Sequence, residues 1–214
     1  MADARRSDPE ASRSAILAAA RGCFSDKGLA GTSMSDIAAR AKVTQSLIHH
    51  HFGAKDALWR QVLVDAFEEH AAQQTAQLSA DDGTADNRAR LRATLRSDFH
   101  FLSAQPDMLR LMAWAELQGA ATVTDVMTSF RKQILQRVRD AQLEGSIRSD
   151  IPAAHILTVF MSLARTWFEE RNLVVDESDA RKTKNAGDDY LEASWALFSR
   201  GVLADRAKPQ RSHD

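Results

Sequence analysis

Cysteine is almost missing from this chain of 214 residues: Cys23 stands alone, so no internal disulfide can form. Proline (4) and glycine (9) are sparse, and they fall largely where helical periodicity breaks. No convincing alternation of apolar and polar residues marks a strand. No apolar run comes near the roughly 18–20 residues that a membrane span needs. The N-terminal stretch carries Arg5, Arg6, Asp8 and Glu10 with no apolar segment behind them, unlike a secretory leader. These absences predict a cytoplasmic protein with no membrane partner. Catalytic patterns are missing too: no glycine-rich phosphate loop, HExxH, CxxC, Ser/His/Asp arrangement or Glu-x-x-His pair occurs. The expectation is a non-enzyme with no catalytic residue and no cofactor.

What is present is helical. Hydrophobic residues make up 44% of the chain, an ordinary share for a globular protein. The net charge is -1, but its distribution is uneven. Residues 1–60 carry nine Lys/Arg against six Asp/Glu, and the rest carries nineteen against twenty-three. A mildly basic head on an acidic body fits a reader of nucleic acid with a separate second domain.

The predicted first helix covers 11–26. Ile16, Ala19, Ala20, Cys23 and Phe24 form its apolar stripe, and Gly28 follows as a stop. A short helix over 34–41 is opened by Ser33, with Asp36 three residues on in a capping-box pattern. Thr44 caps a third helix over 45–51, and Gly53-Ala54 ends it. Further helices are predicted over 55–78, 85–104, 106–118, 122–144, about 152–171 and 188–203. Residues 79–84 and 172–187 read as loops, and 1–10 and 205–214 as disordered tails. The fold class is all-α: a three-helix head over 11–54 and a larger helical body over 55–204.

Two short helices joined by a tight turn, behind a supporting helix, match a DNA-reading helix-turn-helix. With Ile48 inward, 100° per residue brings Phe52 beside it, against Ile37, Ala38 and Val43. Ser46 and His50 then point away, and Leu47 and His49 flank them. Thr44 and Gln45 sit at the end that such helices push into the major groove. Gln45 is suited to adenine, and Leu47 to a thymine methyl. Lys55 opens the fourth helix, where a cation opposes the helix dipole and Ala54 is a poor cap. A DNA phosphate docked there would resolve that conflict; a solvated lysine is the alternative.

The segments Thr32-Ser33-Met34-Ser35-Asp36-Ile37-Ala38, Val43-Thr44-Gln45 and His50-His51-Phe52-Gly53-Ala54-Lys55-Asp56-Ala57-Leu58 resemble the signature of the TetR family of transcriptional regulators. The likeness covers about 11–60. It implies a homodimer with two reading heads, a double-stranded DNA operator, and a body that binds a small-molecule effector. It also implies a repressor that releases DNA when the effector docks. DNA contacts are expected from Thr32, Ser33, Lys42, Thr44, Gln45, Ser46, Leu47, His49, His50 and Lys55. Two departures stand out. Lys42 replaces the usual turn glycine and must adopt the left-handed conformation or touch a phosphate. His49 replaces a common Tyr, keeping a hydrogen-bonding ring whose charge depends on pH. The runner-up reading is a helical ligand-binding module with lost or altered DNA recognition.

His49-His50-His51 is not expected to hold a metal. Consecutive helical residues lie 100° apart, and no i,i+4 partner or thiolate is near. Most large apolar residues of the body are expected to be core. The resemblance puts an effector pocket among the middle helices, with Phe101, Trp114 and Trp167 as candidates and His100 or Arg165 as polar partners. The last two helices are apolar on more than one side. Ile156, Phe160, Leu163, Leu191, Trp195 and Phe198 are expected either at a four-helix dimer interface or buried within one subunit.

Overall fold

The computed structural model describes residues 9–79, 86–118, 124–174 and 186–203. The elements among them are α1 (Pro9–Gly31), α2 (Met34–Ala41), α3 (Gln45–Phe52), α4 (Lys55–Ser79), α5 (Asn87–Ala104), α6 (Pro106–Leu117), α7 (Thr124–Leu143), α8 (Ala153–Val174) and α9 (Ala186–Val202). Among the described residues there is no strand, only an isolated antiparallel bridge between Ile147 and Leu203. The all-α expectation holds. The expected disorder of the tails falls mostly on 1–8 and 204–214, outside the described residues; Pro9 already begins α1. Most of both predicted loops also lies outside them.

Local chemistry explains the head. Gly28 breaks α1 as anticipated, with φ 67° and ψ −178°, a conformation open essentially to glycine alone. Ser33 and Asp36 complete the capping box of α2: Asp36 N–H donates to Ser33 Oγ at 3.1 Å, and Ser33 N–H to Asp36 Oδ2 at 3.3 Å. Lys42 ends α2 in the left-handed conformation, φ 56° and ψ 41°, where its N–H reaches back to the Ala38 and Ala39 carbonyls. Thr44 caps α3 through Leu47 N–H at 3.3 Å, and Gly53 closes it with φ 72°.

The chain divides into two compact units. One comprises residues 1–72 and 104–128, the other 73–103 and 129–214. The first cut falls within α4, after Ala72. Gly53-Ala54 is a break in the helix, but packing continues through it: Leu58 is fully buried and Trp59 meets Phe24 edge-on at 5.1 Å.

In the first unit α1 packs on α2 and α6, and α2 packs on α3. Ile16, Ala20, Phe24, Ile37 and Ile48 have no exposed surface. Full burial of each large side chain contributes about 1.5–3 kcal/mol before the entropy of ordering is subtracted. In the second unit α8 packs on α9, with Phe160 and Phe198 rings 5.3 Å apart. Pro152 stands just before α8, and its carbonyl accepts the Ile156 N–H at 3.2 Å.

Candidate functional site

The exposed face of α3 is polar and held rigidly from behind. Ile48 is fully buried against a core that includes Ile37, while Gln45, Ser46, His49 and His50 are exposed. Phe52 is half-buried under the Arg13 guanidinium, 5.3 Å from the ring centre, so α1 also grips α3. Thr44 Oγ1 and Ser46 Oγ lie 2.9 Å apart at the N-terminal end of the helix. His49 Nδ1–H donates to the Gly53 carbonyl at 2.9 Å. A carbonyl only accepts, so this contact assigns the proton to Nδ1 and leaves Nε2 outward.

A second cluster ties α1 to α4 and α6. Arg21 donates to Glu69 at 2.7 Å, to Gln105 at 2.5 Å and to Asp107. Partial burial pulls the Arg21 guanidinium down, but its bonds to Glu69 and Asp107 outweigh this and hold it above the usual arginine value. Burial pushes Glu69 up; bonds from Arg21 and Gln105 win and keep it below the usual carboxylate value. One turn on, Arg110 pairs with Asp26 at 3.1 Å, and Trp114 Nε1–H donates to the Ser25 carbonyl at 3.3 Å.

The second unit holds a partly open cavity of about 380 Å³, within the range of small-molecule sites. Asn87, Arg90, Leu91, Thr94 and Asp98 line it from one face of α5, at the spacing that puts residues on a single helical stripe. Ile134 and Val138 of α7, Leu157 and Phe160 of α8, and Phe198 of α9 supply apolar walls. Gln74 of α4 is buried at its edge and donates to Asp98 at 3.0 Å.

Residues 16–62 match bacterial regulatory proteins, tetR family, and residues 96–189 match the tetracyclin repressor-like, C-terminal domain. The chain belongs to the TetR family. HTH-type transcriptional repressor SCO4008 of Streptomyces coelicolor is 29% identical over 161 residues, 73% of this chain and 78% of that protein. HTH-type transcriptional regulator TtgR of Pseudomonas putida is 27% identical over 208 residues, 90% of this chain and 98% of that one. Among solved structures, a TetR family transcription regulator from Marinobacter aquaeolei shares the fold, with TM-score 0.74 at 17% identity over 92% of this chain and 97% of that chain.

In this TetR-family chain the expected DNA-contact residues divide into two groups. Ser33, Lys42, Thr44, Gln45, Ser46, His49 and His50 are exposed, and Leu47 is half-buried. Thr32 is placed differently: it is only 2% exposed, and its hydroxyl is within donating distance of the Cys23 carbonyl at 3.0 Å and the Gly28 carbonyl at 2.7 Å. Its side chain splices the end of α1 and presents nothing outward. The Lys55 ammonium donates to the Thr32 carbonyl at 2.8 Å. That bond uses one of the three donors of the ammonium. His51 is half-buried, and the described residues hold no cluster of groups able to ligate a metal.

None of the five expected pocket residues lines the cavity. Trp114 belongs to the first unit and serves α1. Phe101 is buried core at 3% exposure. Trp167 packs on Tyr190 at 5.0 Å and Phe99 at 6.5 Å, and Arg165 pairs with Glu169 along its own helix. His100 is exposed beside the Phe99 ring. Those large aromatics pack into the core, whereas the mixed stripe of α5 lines the cavity. That stripe repeats at helical spacing and was open to reading. Gln74 carries no such signal.

Ile156, Phe160, Leu191, Trp195 and Phe198 are buried within the single chain, and the first two and Phe198 face the cavity. Leu163 is half-buried, and its carbonyl accepts from the Tyr190 hydroxyl at 2.7 Å. Among the residues of these helices whose side chains are described, Val159 and Leu197 are large, apolar and exposed, at 53% and 76%.

Proposed function

We propose that this chain is a sequence-specific DNA-binding transcriptional repressor that leaves its operator when a small molecule fills the cavity of the second unit. The observation that carries the reading is α3: an exposed polar face of Gln45, Ser46, His49 and His50 over a fully buried Ile48. Such a helix enters a major groove with short hydrogen-bonding groups leading. Lys42 stands exposed in the turn beside it, where a cation positions a backbone phosphate. Supporting the effector half of the reading, α4 carries Lys55 at its start and Gln74 in the cavity wall. The repressor named SCO4008 agrees with the sign of control.

The chain acts as a homodimer in this reading, through the outward faces of α8 and α9. Val159 and Leu197 are exposed apolar residues there among the described ones. Val159→Asp with Leu197→Asp should shift the mass in solution toward the monomer.

Selection of bound DNA from a random pool tests the function. A single preferred sequence, bound with steep salt dependence, is expected. Gln45→Ala should change the preferred sequence, and Lys42→Ala should weaken all sequences alike and reduce the salt slope by about one. A chain that binds no DNA under any salt condition overturns the reading and leaves a ligand-binding module.

A further inference from the structure

The cavity is not chemically symmetric. Gln74 is 4% exposed and Asp98 7%, so both are essentially buried at the α4 side of the space. Gln74 Nε2–H donates to Asp98 Oδ1 at 3.0 Å. A carboxylate only accepts, so this bond fixes the amide's orientation and turns Oε1 the other way. Among the described residues, Gln74 Oε1 accepts no hydrogen bond. No side-chain polar atom among them is both sealed and without a partner, so Oε1 is open to space. The space that Gln74 lines is the cavity.

One turn along α5, Thr94 Oγ1 donates its proton to the Arg90 carbonyl at 3.0 Å. Its oxygen therefore offers the cavity an acceptor as well. At this end the wall consists of acceptors: the Gln74 carbonyl, the Asp98 carboxylate and the Thr94 oxygen. A group that donates hydrogen bonds is stabilised there, and a group that only accepts is repelled. The rest of the wall, including Leu91, Val138, Leu157 and Phe160, is apolar. Basic side chains also line the cavity, Arg90 and Arg137, against three carboxylates, Asp98, Asp140 and Glu144, so acidic groups outnumber basic ones in the lining.

We propose that the effector is a mostly apolar molecule with a hydrogen-bond-donating head, a protonated amine in preference to an alcohol, seated on Gln74 Oε1 beside the Asp98 carboxylate. A carboxylic acid of the same shape is disfavoured. The inference rests on the reading of the cavity as the effector site, and it names that effector's chemistry. An ammonium has donors for more than one acceptor and carries the charge opposite to a carboxylate's. A quaternary ammonium keeps the charge but has no donor, so it separates the two effects.

The test is calorimetric titration of the full chain with four probes that share one apolar body: phenylbutylamine, phenylbutanol, phenylbutyrate and phenylbutyltrimethylammonium. The amine should bind tightest, the alcohol next, and the other two at least about tenfold more weakly than the amine. Asp98→Asn should erase most of the amine's advantage over the alcohol. Leu157→Trp, which fills the cavity, should abolish amine binding. Phenylbutyrate binding as tightly as the amine overturns the proposal and assigns the head to Arg90 or Arg137. Undiminished amine binding by Leu157→Trp overturns it as well, as does failure of all four probes at millimolar concentration. DNA retention is measured in parallel. A chain that binds its selected DNA and none of the probes leaves the regulator standing without this inference. A chain that binds the amine but no DNA does the reverse.

Discussion

The Trp114 indole lies directly on Gly28: a β-carbon there would come within 2.8 Å of the ring atoms. Gly28 also holds φ 67° with extended ψ, so two costs coincide at one residue. Gly28→Ala should destabilise the chain by about 2–4 kcal/mol, from backbone strain and overpacking together. Thermal melting checks this. Adding Trp114→Ala to the Gly28→Ala variant should recover the overpacking part but not the backbone part. A double variant that fully matches Trp114→Ala alone would show that the backbone carries no strain.

Lys42 occupies a left-handed position at the end of α2. Lys42→Gly should leave stability unchanged or raise it by up to about 1 kcal/mol, since relief of about 1–2 kcal/mol meets glycine's extra entropy of order 1 kcal/mol. Affinity for every DNA sequence should fall in the same variant, because its ammonium goes with it. A lower melting temperature would refute the first half, and unchanged DNA affinity the second.

Thr32 and Ser33 are neighbours with separate work. Thr32→Val keeps the shape but leaves the Cys23 and Gly28 carbonyls without the hydroxyl, at a cost of about 1–3 kcal/mol. Ser33→Ala removes the cap of α2 and should cost about 1 kcal/mol. Denaturant unfolding of both variants measures the difference. Equal and negligible losses would contradict the buried role of Thr32.

The Arg21–Glu69 contact has a pH signature. Glu69 sits below its ordinary value in the folded chain, so it adds stability above the unfolded value and loses it as pH falls through the folded one. Wild type should lose stability faster than Arg21→Met between about pH 5 and pH 3. The contact is partly exposed, so the difference should be small and shrink in high salt. Parallel stability curves for the two proteins would count against it.

Local chemistry decided the head of this protein. The capping box at Ser33 and Asp36, the Thr44 cap and the breaks at Gly28 and Gly53 each act over a few residues, so each was readable along the chain. With Ile48 set inward, helical spacing alone turned Ser46 and His50 outward. The second unit depended on convergence. Its cavity is bounded by stretches of α4, α5, α7, α8 and α9 far apart in sequence, and no local pattern records which faces meet around a void. Apolar residues look alike in a core, a cavity wall or an interface; Phe160, Trp167 and Leu197 differ only in what the fold puts opposite them. The same holds for polar pairs. Gln74 and Asp98 are 24 residues apart, and only packing brings an ordinary glutamine onto that carboxylate in a cavity wall.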